Sequence, residues 1–203
     1  MNKIITIGRE VGSGGREVGK RLADILQIPY YDNEIVTQLA ERTHLAEDYV
    51  ERLLDESTKA IQHFPITVGR SFSRKANPAQ LKNLNIHIEQ GKLLRELAEK
   101  TDCVIVGRCA NYVLRDLDPL RVFVYAEMES KIKRCREKMP EHEKLSDKEL
   151  KQLILNVDKG RAQYYKFVTG GQWDDKNNYD ILVNTTYYSI KEIAEIIAQP
   201  LFY

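Results

Sequence analysis

The chain has 203 residues, 42% hydrophobic and 30% charged, which is the balance of a folded globular protein and excludes a disordered one. With 31 basic and 30 acidic side chains the net charge is +1, so there is no overall electrostatic case for a nucleic-acid or membrane partner. No apolar stretch approaches the roughly 20 residues of a bilayer span, and Met1 leads straight into an apolar run with no space for a leader, so the expected location is cytoplasmic.

In chain order, Ile4–Ile7 reads as a first strand that breaks into a glycine-rich loop and then a helix over 16–26, with Val18, Leu22, Ile25 and Leu26 at helical spacing. A second strand is expected at Ile28–Tyr31, followed by helices at 33–43 and 46–55. About 70 residues separate the second and third strands, among them the turn-rich stretch from His63-Phe64-Pro65 to Asn77-Pro78, with a helix expected at 79–99. A crossover needs far less chain, so 33–100 is expected to be a helical insertion above the sheet. Strands at Cys103–Val106 and Arg121–Tyr125 follow, with helices at 109–115, 129–138 and 146–166. The segment 139–176 is charged and helical and ends in Thr169-Gly170-Gly171-Gln172-Trp173, where the glycines suggest a hinge or a tight turn. The last elements are a strand at Asp180–Val183 and a helix at 189–198. Ser189 with Glu192, and Ser146 with Glu149, have the spacing of capping boxes.

Strands that are apolar throughout, separated by helices, predict an open, doubly wound parallel α/β sheet that binds its ligand at the carboxyl ends of the strands. Cys103, Cys109 and Cys135 fit neither a disulfide framework nor a metal spacing, and read as reduced packing residues. His44, His63, His87 and His142 are scattered and no metal site is expected. Trp173 and the pair Tyr164-Tyr165 read as packing groups.

The chemistry concentrates at Gly12-Ser13-Gly14-Gly15-Arg16-Glu17. A strand, a glycine-rich turn and a helix N-terminus together form a phosphate cradle, because small residues let backbone N–H groups approach an anion. The bland alternative is a tight turn with no ligand. The formal Walker-type match from Gly14 to Gly19-Lys20 is a decoy, since Gly19 and Lys20 fall inside the helix and Arg21 replaces the hydroxyl residue. Positive charge for a polyphosphate must therefore come from Arg16 or Arg9. Glu17 is expected to cap the helix N-terminus, with Mg²⁺ coordination as the alternative. Asp32 lies at a strand's carboxyl end, as N-cap of the next helix, as ligand residue, or both. Arg108, just past the third strand, reads as an anion receptor. Asp158 and Arg161, three apart on a helix, join Lys131, Lys133, Arg134 and Arg136 in a possible ring of cations around a transferring phosphoryl group.

These motifs resemble the cytidylate kinase-like family, a divergent branch of the P-loop nucleoside monophosphate kinases. The resemblance runs through Ile7-Gly8-Arg9-Glu10-Val11-Gly12-Ser13-Gly14-Gly15-Arg16-Glu17, Pro29-Tyr30-Tyr31-Asp32 and Val106-Gly107-Arg108-Cys109-Ala110-Asn111-Tyr112. It continues through Asp158, Arg161-Ala162 and Tyr164-Tyr165, Thr169-Gly170 with Trp173, and Asn178-Tyr179-Asp180 leading to Asn184-Thr185. It implies a P-loop NTPase-type three-layer α/β/α domain over 1–203, with a five-stranded parallel sheet, a monophosphate-binding insertion at 33–100 and a lid at 139–176. The implied reaction moves the γ-phosphoryl of ATP to (d)CMP or a related acceptor with Mg²⁺. Residue by residue, Gly12, Ser13, Gly14, Gly15, Arg16, Glu17 and Arg134 would bind the donor. Asp32, Arg108, Asp158 and Arg161 would bind the acceptor, with Arg16 and Arg161 catalytic. Where authentic cytidylate kinases carry the loop lysine followed by a Gly-Thr pair, this chain has Gly15-Arg16-Glu17. A nucleotide-binding regulatory protein without efficient turnover, or a kinase of another small acceptor, is compatible with the same residues. Partners are expected to be small nucleotides, with neither nucleic acid nor membrane; the sequence does not give the oligomeric state.

Overall fold

The apolar run that begins at Ile4 forms β1 (Ile4–Arg9), the middle strand of the sheet. The structure is a computed structural model and describes residues 2–50, 54, 78–139 and 145–201. After β1 come α1 (Gly15–Leu26), β2 (Tyr30–Tyr31), α2 (Glu34–Thr43), α3 (Pro78–Lys100), β3 (Cys103–Val106) and α4 (Ala110–Val113). The chain continues with β4 (Leu120–Tyr125), α5 (Met128–Lys138), α6 (Asp147–Thr169), β5 (Ile181–Asn184) and α7 (Ile190–Ala198). All neighbouring strands are parallel, in the order β2-β3-β1-β4-β5. Ile4 pairs with Cys103 and Ile7 with Val106 on one side of β1, and Arg9 pairs with Val124 on the other. The expected five-stranded parallel α/β architecture is therefore present.

Period-2 alternation sends successive side chains to opposite faces, and both faces are covered. Ile4, Cys103 and Ile105 pack with Ile35, Leu39, Leu93 and Leu94 of α2 and α3. Ile5, Ile7, Val104 and Val106 pack with Val18 and Leu22 of α1 and with Ile193 and Ile197 of α7. Helix, sheet, helix is the three-layer arrangement.

Some boundaries differ from the sequence expectation for identifiable reasons. The strand expected at 28–31 is only Tyr30–Tyr31, because the N–H of Ile28 turns back to the carbonyl of Ala23 at 3.0 Å and closes the end of α1. Gln27 takes the left-handed conformation at that closure, φ 53°. In the region expected as an insertion, 47–50 and 54 are helical, and α3 runs Pro78–Lys100 with proline at its first position, where a missing N–H does no harm. The remainder of the helix expected at 46–55, and the stretch from His63 to Asn77, lie outside the described residues, as does His142. In the segment expected as a lid, α6 ends on Gly170 at φ 74°, a tight helix termination. Both expected capping boxes form, Ser146 with Glu149 on α6 and Ser189 with Glu192 on α7. Among the described residues no helix is long and apolar enough to cross a membrane.

Parallel strands end together, so Arg9, Asp32 and the Gly107-Arg108 turn all emerge at the carboxyl edge of the sheet. The first turn of α1 opens onto the same edge.

Candidate functional site

The loop between β1 and α1 is shaped by Gly12 and Gly14, at φ 71° and 82°, backbone angles that an L side chain rarely adopts. Gly14 is the N-cap of α1 and provides no capping side chain, so the first-turn N–H groups keep their partial positive charge free for an anion. Neighbours pin the loop from outside. Thr185 Oγ1 donates to the carbonyl of Ser13 at 2.6 Å, and Arg134 donates to the carbonyl of Gly12 at 3.3 Å and to Thr185 Oγ1 at 3.0 Å. Ser13, fully buried, donates its hydroxyl to the carbonyl of Glu10 at 2.8 Å. A Cβ at Gly12 would sit 2.6 Å from the carbonyl oxygen of Lys131, so α5 is laid directly against the loop. The loop, Arg134, Cys135, Lys138, Leu150 and Arg161 enclose a cleft of about 370 Å³.

Beside the cleft, Arg9 and Arg16 pair with the buried Asp32, and Arg16, Arg108 and Arg161 lie close enough to oppose the charge on Arg9. Arg16 Nε pairs with Asp32 at 2.7 Å and its Nη2 reaches Asn33 Oδ1 at 3.2 Å; Arg9 lies 3.7 Å from the same carboxylate. Tyr30 donates its hydroxyl to the carbonyl of Arg16 at 3.3 Å and meets Asp32 at 3.5 Å. Burial, then the Asp32 charge, push the Tyr30 phenol up to about 12, so it stays a donor at neutral pH. Burial lowers the pKa of Arg9 to about 9, with the charge of Arg161 the next cause, opposed by Asp32. Arg108 takes part in no ion pair among the described residues. The four guanidinium groups meet two carboxylates, Asp32 on Arg9 and Arg16 and Asp158 on Arg161, an excess of positive charge that favours an anion.

Two expectations are corrected here. Asp32 is not the N-cap of α2: Asn33 holds that position and makes no side-chain cap bond, because the Asp32 carboxylate is engaged by the arginines. Nor does Glu17 cap α1. It accepts both Nε and Nη2 of Arg21, at 3.1 and 3.0 Å, one helical turn on, and faces Lys138 at 4.0 Å.

The expected ring of cations from α5 does not form either. Lys131 is buried and its ammonium is spent between Glu10 at 3.0 Å and Asp158 at 3.1 Å. Arg136 pairs with Asp147, Arg134 holds the loop, and Lys133 is exposed. Asp158 also accepts the N–H of Val11 at 2.8 Å and Arg161 at 3.3 Å, and Arg161 donates to the carbonyl of Arg9 at 3.1 Å. Asp158 and Arg161 thus fasten α6 to the start of the loop. Among the described residues no three His, Cys, Asp or Glu side chains gather to hold a metal, and all three cysteines are free.

Behind Arg9 a smaller cavity of about 50 Å³ is walled by Gly107-Arg108, Asn111, Tyr164, Tyr165 and Trp173. Asn111 donates to the Tyr165 hydroxyl at 3.1 Å. Trp173 and Tyr179 pack on Phe123 at centroid distances of 5.2 and 4.8 Å, as packing groups would. The Tyr164 hydroxyl accepts from Gln90 at 3.1 Å and faces His87 Nδ1 at 3.1 Å. Burial, then the nearby Arg108, pull His87 down to about 4, so the ring is neutral near pH 7. Arg9 and Arg161 line both cavities.

The structure thus brings Gly12, Gly14, Gly15, Arg16, Arg134 and Arg161 to one cleft, with Ser13 buried beneath the loop, Asp32 held by Arg9 and Arg16, and Arg108 on the smaller cavity, while Glu17 and Asp158 are turned to other partners. Sequence reasoning undervalued Arg9, read Lys131 as one of a ring of cations and not as a buried tie, and gave Thr185 no role beyond its place in the family motif. Only the position of Arg9 at a strand end before the loop carried a signal.

The cytidylate kinase-like family model matches residues 4–187. The cytidylate kinase of Methanopyrus kandleri is 24% identical over 207 aligned positions, covering 97% of this chain and 92% of that protein. A crystal structure of an uncharacterized protein from Eubacterium ventriosum superposes with a TM-score of 0.69 at 28% identity, over 99% of each chain. The shikimate kinase of Bacteroides thetaiotaomicron shares the fold at a TM-score of 0.56 and 17% identity, over 99% of each chain. With a five-stranded parallel sheet, a glycine loop at the end of its central strand and a family match over nearly all its length, this chain belongs to the cytidylate kinase-like family.

Proposed function

We propose that the protein transfers the γ-phosphoryl group of ATP to a nucleoside monophosphate, (d)CMP being the first acceptor to test. The observation that carries this reading is the gathering of Arg16, Arg108 and Arg161 around the buried guanidinium of Arg9, with Asp32 beside it, next to a helix N-terminus whose N-cap is a glycine. Such a site binds and neutralises a polyphosphate and a phosphate acceptor side by side, which is most of what phosphoryl transfer requires of a protein.

In this reading Gly12–Gly15 and the first turn of α1 hold the donor phosphates, and Arg134 keeps the loop in shape. Arg161, between the two cavities, neutralises the group in transit, supported by Asp158. Arg108 and Asp32, with Arg16 on its carboxylate, face the acceptor. Mg²⁺ would arrive with the nucleotide, held by phosphate oxygens and water, since no carboxylate cluster awaits it among the described residues and Glu17 is bound to Arg21.

A coupled ADP-release assay over a panel of nucleoside monophosphates and small hydroxylated acceptors tests the proposal. Turnover with CMP or dCMP, lost in Arg161→Ala, supports it. Turnover only on another acceptor moves the specificity elsewhere. Thermal stabilisation by ATP without turnover on any acceptor identifies a nucleotide-binding protein, and no response to ATP at all sinks the phosphate cradle itself.

A further inference from the structure

The lysine of a standard nucleoside-triphosphate loop has no counterpart in the loop of this chain; Gly15, or Arg16 with a one-residue shift, stands in its place. The room above Gly15 is nonetheless filled. A Cβ added there would fall on the Cβ of Arg9 and lie 3.1 Å from its Cγ, so the side chain that starts from the strand end occupies the space where a lysine stem would begin. Farther along, a Cβ at Gly107 would fall on Nη1 of Arg9 and lie 2.9 Å from its Cζ. The absence of a side chain at both glycines is therefore what gives Arg9 its path across the site. Its guanidinium ends at the wall between the loop cleft and the smaller cavity, the place for a group that must touch both donor and acceptor phosphates.

From this geometry, and resting on the phosphoryl-transfer reading above, we propose that Arg9 takes over the role of the missing loop lysine, with Gly15 and Gly107 as the matched vacancies that admit it. Its Nε is buried without a hydrogen-bond partner, a donor whose desolvation is uncompensated until an anion arrives. Among the described residues its carboxylate partner is Asp32, which stands off at 3.7 Å, whereas Arg16 holds that carboxylate at 2.7 Å. Arg16, the other candidate for the role, is bent toward β2, tied to Asp32 and Asn33, and its side chain is 56% exposed. Three guanidinium neighbours oppose the charge on Arg9 in the empty site, so an entering polyphosphate meets a cation that gains by being neutralised.

The test measures inorganic triphosphate binding by calorimetry for the wild type and for Arg9→Gln, Arg9→Lys, Arg9→Gly, Arg16→Gln and the double variant Arg9→Gly/Gly15→Lys, in which glycine at position 9 removes the Cβ that would clash with a side chain at position 15. Fold is checked by circular dichroism. Arg9→Gln should weaken binding about tenfold or more, Arg9→Lys by less, and Arg16→Gln by less than Arg9→Gln. The double variant, which returns the cation to the loop position, should recover most of the affinity lost in Arg9→Gly. If Arg9→Gln does not fold, the order of Arg9→Lys and Arg16→Gln and the recovery in the double variant carry the decision. Undiminished binding in Arg9→Gln, a larger loss in Arg16→Gln, or no recovery in the double variant overturns the assignment while leaving the kinase reading intact. A wild type that binds no triphosphate brings down the kinase reading, and this assignment with it.

Discussion

Lys131 shows how one side chain can set the geometry of a loop it does not belong to. Its buried ammonium lies between Glu10 at the loop's start and Asp158 on α6. Lys131→Met would keep the stem's volume, leave Glu10 without its cation and leave Asp158 with Arg161 alone. That change should cost about 3 kcal/mol, measured by urea unfolding, because removing one member of a buried ion set leaves a partner unpaired. His87 makes a separate prediction. Its pKa is about 4 in the folded chain, beside Arg108 and Tyr164, against roughly 6.5 unfolded. The unfolded state therefore binds the extra proton first. Stability should be constant above about pH 6.5 and fall toward pH 4, by up to about 1.4 kcal/mol per pH unit. Denaturant unfolding at a series of pH values checks this, and His87→Phe should flatten the decline.

At the scale of elements, helix ends decide more than helix interiors. The capping box of α7 satisfies first-turn N–H groups through Ser189, so Ser189→Ala should cost about 1 kcal/mol in the same unfolding experiment. Both capping boxes, the parallel strands and the α1 start were legible in the sequence, because local hydrogen-bonding chemistry and apolar periodicity specify them. Which cation faces which carboxylate was not. The reading that made Glu17 a cap failed because Arg21, one turn away, competes for the same carboxylate. The grouping of Lys131 with its basic neighbours failed because only burial distinguishes a structural lysine from a solvated one, and burial is decided by α6, far along the chain.

For the whole molecule, the sheet order places the middle strand's end, the α1 N-terminus and the β3 turn side by side, so residues nearly 100 positions apart form one cationic wall. The bend of each loop was readable locally; this meeting of Arg9 with Arg108 and Arg161 was not, since it depends on β1 lying between β3 and β4. A ligand that fills such a site stabilises the entire fold. ATP at about 100 times its dissociation constant should add roughly 2.7 kcal/mol, a rise in melting temperature of about 5–10 °C for a chain of this size. Scanning fluorimetry reads it directly, and the rise should shrink with added salt as screening weakens the arginine wall.

The outward pins on the loop, Thr185 on Ser13 and Arg134 on Gly12, have a practical corollary. In a trans peptide the N–H points opposite the C=O, so holding the Ser13 carbonyl outward aims the N–H of Gly14 the other way. The donors just past β5 and on α5 thus act as a jig for a loop whose glycines permit its bends but do not by themselves fix them. Residues 10–17 transplanted into another strand–helix junction would not carry their anion affinity with them. A successful graft would have to bring Thr185, Arg134 and the Lys131 tie as well.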